Sequence, residues 1–137
     1  MSVNKIYLSR LLIGLVTAWN LQAAWIFIFL PRSYVLAYEL NGVTGEAAVR
    51  GVGVLFLMWN VPYVVALWNP IRFRLALVLA FVMQFIGLMG ESFILSTLAM
   101  DHAILRASIL RFIVFDGAGL ILLVIAFLLV RKENTNE

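Results

Sequence analysis

Four long apolar runs constrain this chain more than any other feature. A helix that crosses a bilayer needs about 20 mostly apolar residues at about 1.5 Å each. The runs Tyr7–Leu30, Ala47–Trp68, Phe73–Leu98 and Arg106–Val130 all meet that length. In hydrocarbon each backbone N–H and C=O must find its partner inside the protein, so an isolated apolar run of this length folds as a helix. The expected fold is all-α, an integral membrane four-helix bundle forming a single domain over residues 1–137. Composition agrees, with 64% hydrophobic and only 12% charged residues and a mean hydropathy of +1.04. A soluble domain needs more surface charge than that.

Breaks in the pattern separate the runs. Pro31 follows the first, and Asn69-Pro70 divides the second from the third, because a residue before proline avoids the helical region. The turn Asn69–Arg72 is short, so the second and third helices are antiparallel neighbours. Asn41-Gly42 and Gly45 mark a turn in the longest connection, Pro31–Glu46. Its Tyr34, Leu36, Tyr38 and Leu40 suit a segment lying on the membrane surface. Lys5 and Arg10 precede the first run as in a signal peptide, but that run exceeds the usual h-region and ends without a small-x-small cleavage site. It is expected to be retained.

The cations set the expected direction. With the N-terminus inside, the inner ends carry Lys5, Arg10, Arg72, Arg74, Arg131 and Lys132, and the outer ends carry Arg32, Arg50, Arg106 and Arg111. Excess Lys and Arg on the cytoplasmic side favours an N-in, C-in protein, with residues 131–137 as a polar tail. The net charge of +3 is spread over helix ends rather than gathered into a patch, so no nucleic-acid partner is expected.

Ionisable groups inside the runs carry the functional signal. Asp116 and Glu91 lie well within the fourth and third spans, where an unpartnered charge costs several kcal/mol. Glu91 is about 10 Å and Asp116 about 15 Å from the outer helix ends, counted at the helical rise. Arg50 and Arg111 belong to the same outer half. Helical periodicity places Gln84, Gly87 and Glu91 on one stripe and Asp116, Gly119 and Leu123 on another. Arg50, Gly53, Leu57 and Asn60 lie near a third, and Thr17, Asn20 and Ala24 form a milder one. The expected ligand-binding interior is thus Asn20, Arg50, Asn60, Gln84, Glu91 and Asp116, with Arg111 reaching inward or snorkelling to the headgroups. A purely structural reading competes: two acids and two arginines cancel, and they would form a buried ion-pair network that locks the helices.

Other features point to packing. Pro62 removes a backbone bond within the second span and should kink it, with Asn60 positioned to satisfy a freed carbonyl. Gly51-Val52-Gly53 and Gly117-Ala118-Gly119 fit close helix approach. Trp68 suits an interfacial belt. Trp19, Trp25 and Trp59 suit helix packing before a stacking role. His102 beside Asp101 resembles a proton-handling or metal-binding pair, but two residues are too few for a metal site. His102, the one histidine, falls between spans, so no histidine-ligated haem or chlorophyll is expected inside the bundle. The absence of cysteine excludes disulfides, iron–sulfur ligation and thiolate zinc sites. No Walker, HExxH or GxSxG motif occurs, and no catalytic residue is assigned.

The whole-chain architecture, with Arg50-Gly51-Val52-Gly53 opening the second helix after a long first loop, resembles the DoxX-like small four-helix bacterial membrane proteins. That resemblance covers all four spans. It implies a bacterial inner-membrane protein among quinone-linked or stress-related subunits, and it carries over no catalytic residue. The leading expectation is a bundle that binds a small amphipathic ligand or lipid. The alternatives are a structural or accessory subunit of a larger membrane complex, and a quinone-linked or lipid-acting enzyme. Membrane lipids are the expected partners, with a homo-oligomer or a larger complex as further ones.

Overall fold

The computed structural model describes residues 3–131. Lys132 and the rest of the polar tail lie outside the described residues. Four helices long and apolar enough to cross a membrane make up most of the chain, and no strand occurs among the described residues. Helix α1 is Val3–Phe29, α2 is Arg32–Val35, α3 is Gly42–Trp68, α4 is Arg74–Thr97 and α5 is Ala103–Arg131, with a single 3-10 turn at Leu36–Tyr38 between α2 and α3.

The long helices run alternately up and down around a ring. Helix α1 packs against α3 and α5, α4 packs against α3 and α5, and the backbones of the diagonal pairs stay apart. Short connections enforce this order, since antiparallel neighbours need few linking residues. At one end, the turn end, Asn69 Oδ1 accepts the backbone N–H groups of Ile71 and Arg72 at 3.1 and 2.9 Å, which closes the α3–α4 turn. Arg10 Nε donates to the Leu67 carbonyl at 3.0 Å, tying α1 to the last turn of α3. A cation suits that site because the last carbonyls of a helix lack internal partners.

The opposite, cap end differs from a surface-lying loop. Helix α3 begins at Gly42, five residues before the span expected from hydropathy, so the Pro31–Glu46 connection shrinks to the turns of α2 and Leu36–Tyr38. Val35 is buried there against Phe27 and Val49, with Tyr34, Tyr38, Phe56 and Phe112 packed round them. Ser108 donates to the Ala37 carbonyl at 2.7 Å and pins the segment to α5. This connection is therefore a folded plug across the end of the bundle.

A second core fills the turn end: Ile13, Val16, Tyr63, Ala66, Leu77, Ala80, Leu123, Ala126 and Val130. Lipid-facing side chains such as Leu11, Met58, Val61, Met89, Val114 and Ile121 remain exposed, as hydrocarbon allows. Without a hydrophobic drive between helices in lipid, close packing and buried polar contacts hold such a bundle together. Gly53 is one such contact: a Cβ there would lie 2.8 Å from Phe27 Cβ and 3.1 Å from the Ala24 carbonyl oxygen. Gly119 is another. Their neighbours Gly51 and Gly117 are not, since a Cβ at Gly51 meets nothing within 4 Å and one at Gly117 only Leu88 at 4.0 Å. Helix α3 continues through Pro62 without interruption.

Glu39 clasps the plug to α5. It adopts a left-handed backbone conformation, φ 54°, while one carboxylate oxygen accepts the Leu105 N–H at 3.2 Å and the other lies 2.5 Å from His102 Nδ1. An acid at a helix N-terminus is favoured by the helix dipole. The hydrogen bond with Glu39 raises the His102 pKa above its ordinary 6.5, and the same bond lowers that of Glu39 below its ordinary 4.5. The His102 contribution is complete below pH 6.5 and fades as pH rises through the raised folded value. The Glu39 contribution is complete above pH 4.5 and fades as pH falls through the lowered folded value. The clasp is therefore fully closed between those limits. Amide hydrogen exchange over residues 33–40, corrected for intrinsic rates, is expected to quicken from mildly acidic to alkaline pH in the wild type. In His102→Gln it should show no such step. An unchanged pH step in that variant would refute the clasp.

Candidate functional site

Between the two cores lies a cavity of about 420 Å³ that reaches all four long helices and Tyr34 of α2. Its floor is polar. Tyr63, three residues after Asn60 on α3, donates its hydroxyl to Gln84 Oε1 on α4 at 2.6 Å. Gln84 Nε2 donates onward to Asp116 Oδ1 on α5 at 2.9 Å and, weakly, to the Asp116 carbonyl at 3.4 Å. Three helices are thus joined by one hydrogen-bonded chain. Tyr63 is 2% and Gln84 4% exposed. At that burial the amide is costly unless each of its ends is bonded.

Two glycines make room for the chain. A Cβ at Gly87 would lie 2.5 Å from Asp116 Oδ2, and one at Gly119 would lie 2.8 Å from Gln84 Nε2. Any side chain at either position displaces the polar group it faces. The stripe Gln84, Gly87, Glu91 therefore lines the cavity as the helical period indicates, as does Asp116. Gly119 and Leu123 on the same α5 stripe are buried.

Asn60 occupies the wall one turn from Tyr63. Its Nδ2 donates to the Phe56 carbonyl at 2.6 Å. That is not the carbonyl freed by Pro62, which belongs to Met58 four residues before the proline, so the expected local repair is not what Asn60 does. Its Oδ1 is buried and has no partner, the one such side-chain atom among the described residues. Asn20 lines the opposite wall on α1. The Thr17 hydroxyl is spent on its own helix, bonded to the Ile13 carbonyl at 2.8 Å.

The arginines stand elsewhere. Arg50 is on the outer face of α3 with its side chain 55% exposed, and its nearest acid is Glu46 at 3.7 Å. The stripe of α3 that faces inward is Val49, Gly53, Asn60 and Tyr63, while Leu57 is exposed. Arg111 is exposed and donates to the Ser108 hydroxyl at 3.0 Å. Neither arginine lines the cavity. Among the described residues the ion pairs are Arg32–Glu46, Arg50–Glu46 and those of His102 with Glu39 and Asp101. The expected ion-pair network around Glu91 and Asp116 is therefore absent, and a packing lock of that kind does not account for the two acids. A long arginine near a helix end escapes to the headgroup level at little cost, whereas a short carboxylate in mid-helix cannot.

Glu91 marks the cap-end wall. Burial first, then the Glu91 carboxylate, push the Tyr38 phenol above its ordinary pKa of 10.0. Glu91 makes no hydrogen bond to any described residue. Aromatic rings surround this half: Phe56 packs 5.9 Å from Phe112 and 5.9 Å from Trp59. Trp19 meets Phe115 edge-on, centroids 4.2 Å apart, across the α1–α5 seam.

The α3–α4 seam is open toward the cap end. Helix α4 buries Leu77, Ala80 and Gln84 but nothing beyond, and it supplies no residue to the cap-end core. Lining residues on both sides of this seam are exposed, among them Trp59 at 43% and Ile86 at 61%. A Cβ at Gly90, also in the lining, would meet nothing within 4 Å. The opening faces the hydrocarbon side of the bundle.

His102 and Asp101 lie outside the cavity, and no group of three or more metal-ligating side chains occurs among the described residues. Tyr63 was not among the residues expected from the sequence. Its place three residues after Asn60 was the available signal, masked because a tyrosine in a span reads as interfacial. Compared with protein-family models, curated proteins and solved structures, the chain has no significant match.

Tyr63→Phe keeps the ring and deletes the donor, leaving Gln84 Oε1 buried and unpaired. The expected loss is about 1–3 kcal/mol of stability, the usual cost of an orphaned buried group. Thermal unfolding in detergent measures it, and wild-type stability in Tyr63→Phe would show that the chain does not hold the helices together.

Proposed function

We propose that this protein holds a small amphipathic molecule or lipid within the membrane, its polar head on the Tyr63–Gln84–Asp116 floor and its apolar body among the aromatic rings. The observation that carries this reading is a cavity of about 420 Å³ whose lining joins that polar floor and the Glu91 carboxylate to Phe56, Trp59, Phe112 and Phe115. The volume falls within the range of small-molecule sites, about 300–1,000 Å³. The open α3–α4 seam supports entry sideways from the bilayer, the route suited to a molecule that already partitions into lipid.

The reading differs in one respect from the expectation built on the arginines. Arg50 stands outside the cavity, so the head is not bound through a guanidinium. The role of accessory subunit rests on no surface feature that lipid contact leaves unexplained. A bacterial inner-membrane location and DoxX-like kinship belong to the same proposal and rest on span architecture and composition.

Gly90→Phe tests the reading directly, because the new ring enters open space. Native mass spectrometry from gently solubilised membranes is expected to show a small-molecule adduct on the wild type and its loss in Gly90→Phe, with thermal stability unchanged within about 0.5 kcal/mol, as for a surface substitution. Equal adducts on both proteins, or none on either, would overturn it.

The N-in, C-in orientation is likewise proposed, from the cation bias. The chain has no cysteine, so Asn69→Cys supplies a single thiol at the turn end. It is expected to react with a membrane-impermeant maleimide only after the cells are permeabilised. Labelling in intact cells would reverse the orientation.

A further inference from the structure

The two acids of the cavity have no cation beside them. The donors of the floor are committed within the protein: the Tyr63 hydroxyl to Gln84, Gln84 Nε2 to Asp116, and Asn60 Nδ2 to Phe56. The donors of Trp19, Asn20, Gln22, Tyr34 and Trp59 elsewhere in the lining are neutral. Asp116 Oδ2 and both Glu91 oxygens have no hydrogen bond to a described residue. Glu91 and Asp116 both line the cavity, and no Lys, Arg or His does. None of the ion pairs among the described residues involves either acid.

Resting on the reading of an amphipathic guest, we propose that the cavity selects a lipophilic ammonium: an apolar body bearing one protonated amine, bound between Asp116 and Glu91. An ammonium group brings three donors and no acceptor, the complement of two carboxylates. Its charge offsets that of carboxylates which otherwise lack a counter-charge in a low-dielectric site. The rings of Phe56, Trp59 and Tyr34 in the same lining favour a cation over an anion through their π faces. A carboxylate or phosphate head would meet two acids and no cation. A hydroxyl head leaves the charge of the acids uncompensated.

The test compares three probes with one skeleton, 4-phenylbutylamine, 4-phenylbutanol and 4-phenylbutyrate. Each is titrated by calorimetry at neutral pH into the full chain in phosphatidylcholine nanodiscs, with empty nanodiscs subtracted. The amine is expected to bind saturably, the alcohol at least about tenfold more weakly, as the loss of a charge-assisted bond implies, and the carboxylate not at all. Glu91→Gln should weaken the amine by about tenfold while leaving the alcohol nearly unchanged. This variant carries the test because Glu91 makes no bond whose loss would unfold the bundle. Asp116→Asn should behave alike if it folds, and Arg50→Gln should bind the amine as the wild type does. Saturable binding of the alcohol as tight as that of the amine, or amine binding indifferent to Glu91→Gln, would overturn the ammonium proposal and leave the amphipathic reading standing. Saturable binding of none of the three would overturn both.

Discussion

Gln84 is the residue on which the middle of this bundle depends. An amide in hydrocarbon has no water to bond, so both of its ends must find protein partners or the helix carrying it cannot sit there. The Tyr63 hydroxyl and the Asp116 carboxylate supply them, from the two helices that flank α4. This requirement sets the rotation of three helices at once. It also explains where small residues are needed: Gly87 and Gly119 lie opposite the atoms of this chain and leave no space for a Cβ.

The cavity follows from what lies on either side of that layer. Towards the turn end, aliphatic side chains from all four long helices close the interior. Towards the cap end, α1, α3 and α5 converge on Phe27 and the plug, while α4 stays apart from that cluster. Three helices gathered on one core and a fourth held only by its neighbours leave a gap at the fourth. The opening between α3 and α4 is thus a consequence of the plug, which engages three of the four helices and not α4.

Charge is distributed by side-chain reach. The cations finish helices: Arg10 bonds the Leu67 carbonyl, and Arg106 bonds the Leu98 and Leu95 carbonyls at 2.7 and 3.2 Å. Arg74 lies over the Phe127 ring at 5.2 Å. Glu91 and Asp116 are too short to reach an interface from mid-helix. The result is an interior that carries acids and no cation, enclosed by cation-rich ends, and it is this separation of sign that gives the proposed site its chemical preference.

Hydropathy and turn chemistry in the sequence determine four helices, their antiparallel order across Asn69-Pro70, and the presence of acids within the hydrocarbon. Periodicity determines that Gln84, Gly87 and Glu91 share a face, because on a straight helix three- and four-residue steps settle which side chains lie together. It does not determine what that face meets. Arg50 falls within one residue of the true inward stripe of α3, and a shift of one residue is about 100° of rotation, enough to turn a side chain from the interior to the surface. Tyr63 and the unpartnered Asn60 oxygen acquire their meaning only when α3 and α4 are brought together. The plug at Pro31–Asn41 is likewise a tertiary outcome: its aromatic residues suit an interface or a core equally well, and only the space left above Phe27 decides between them.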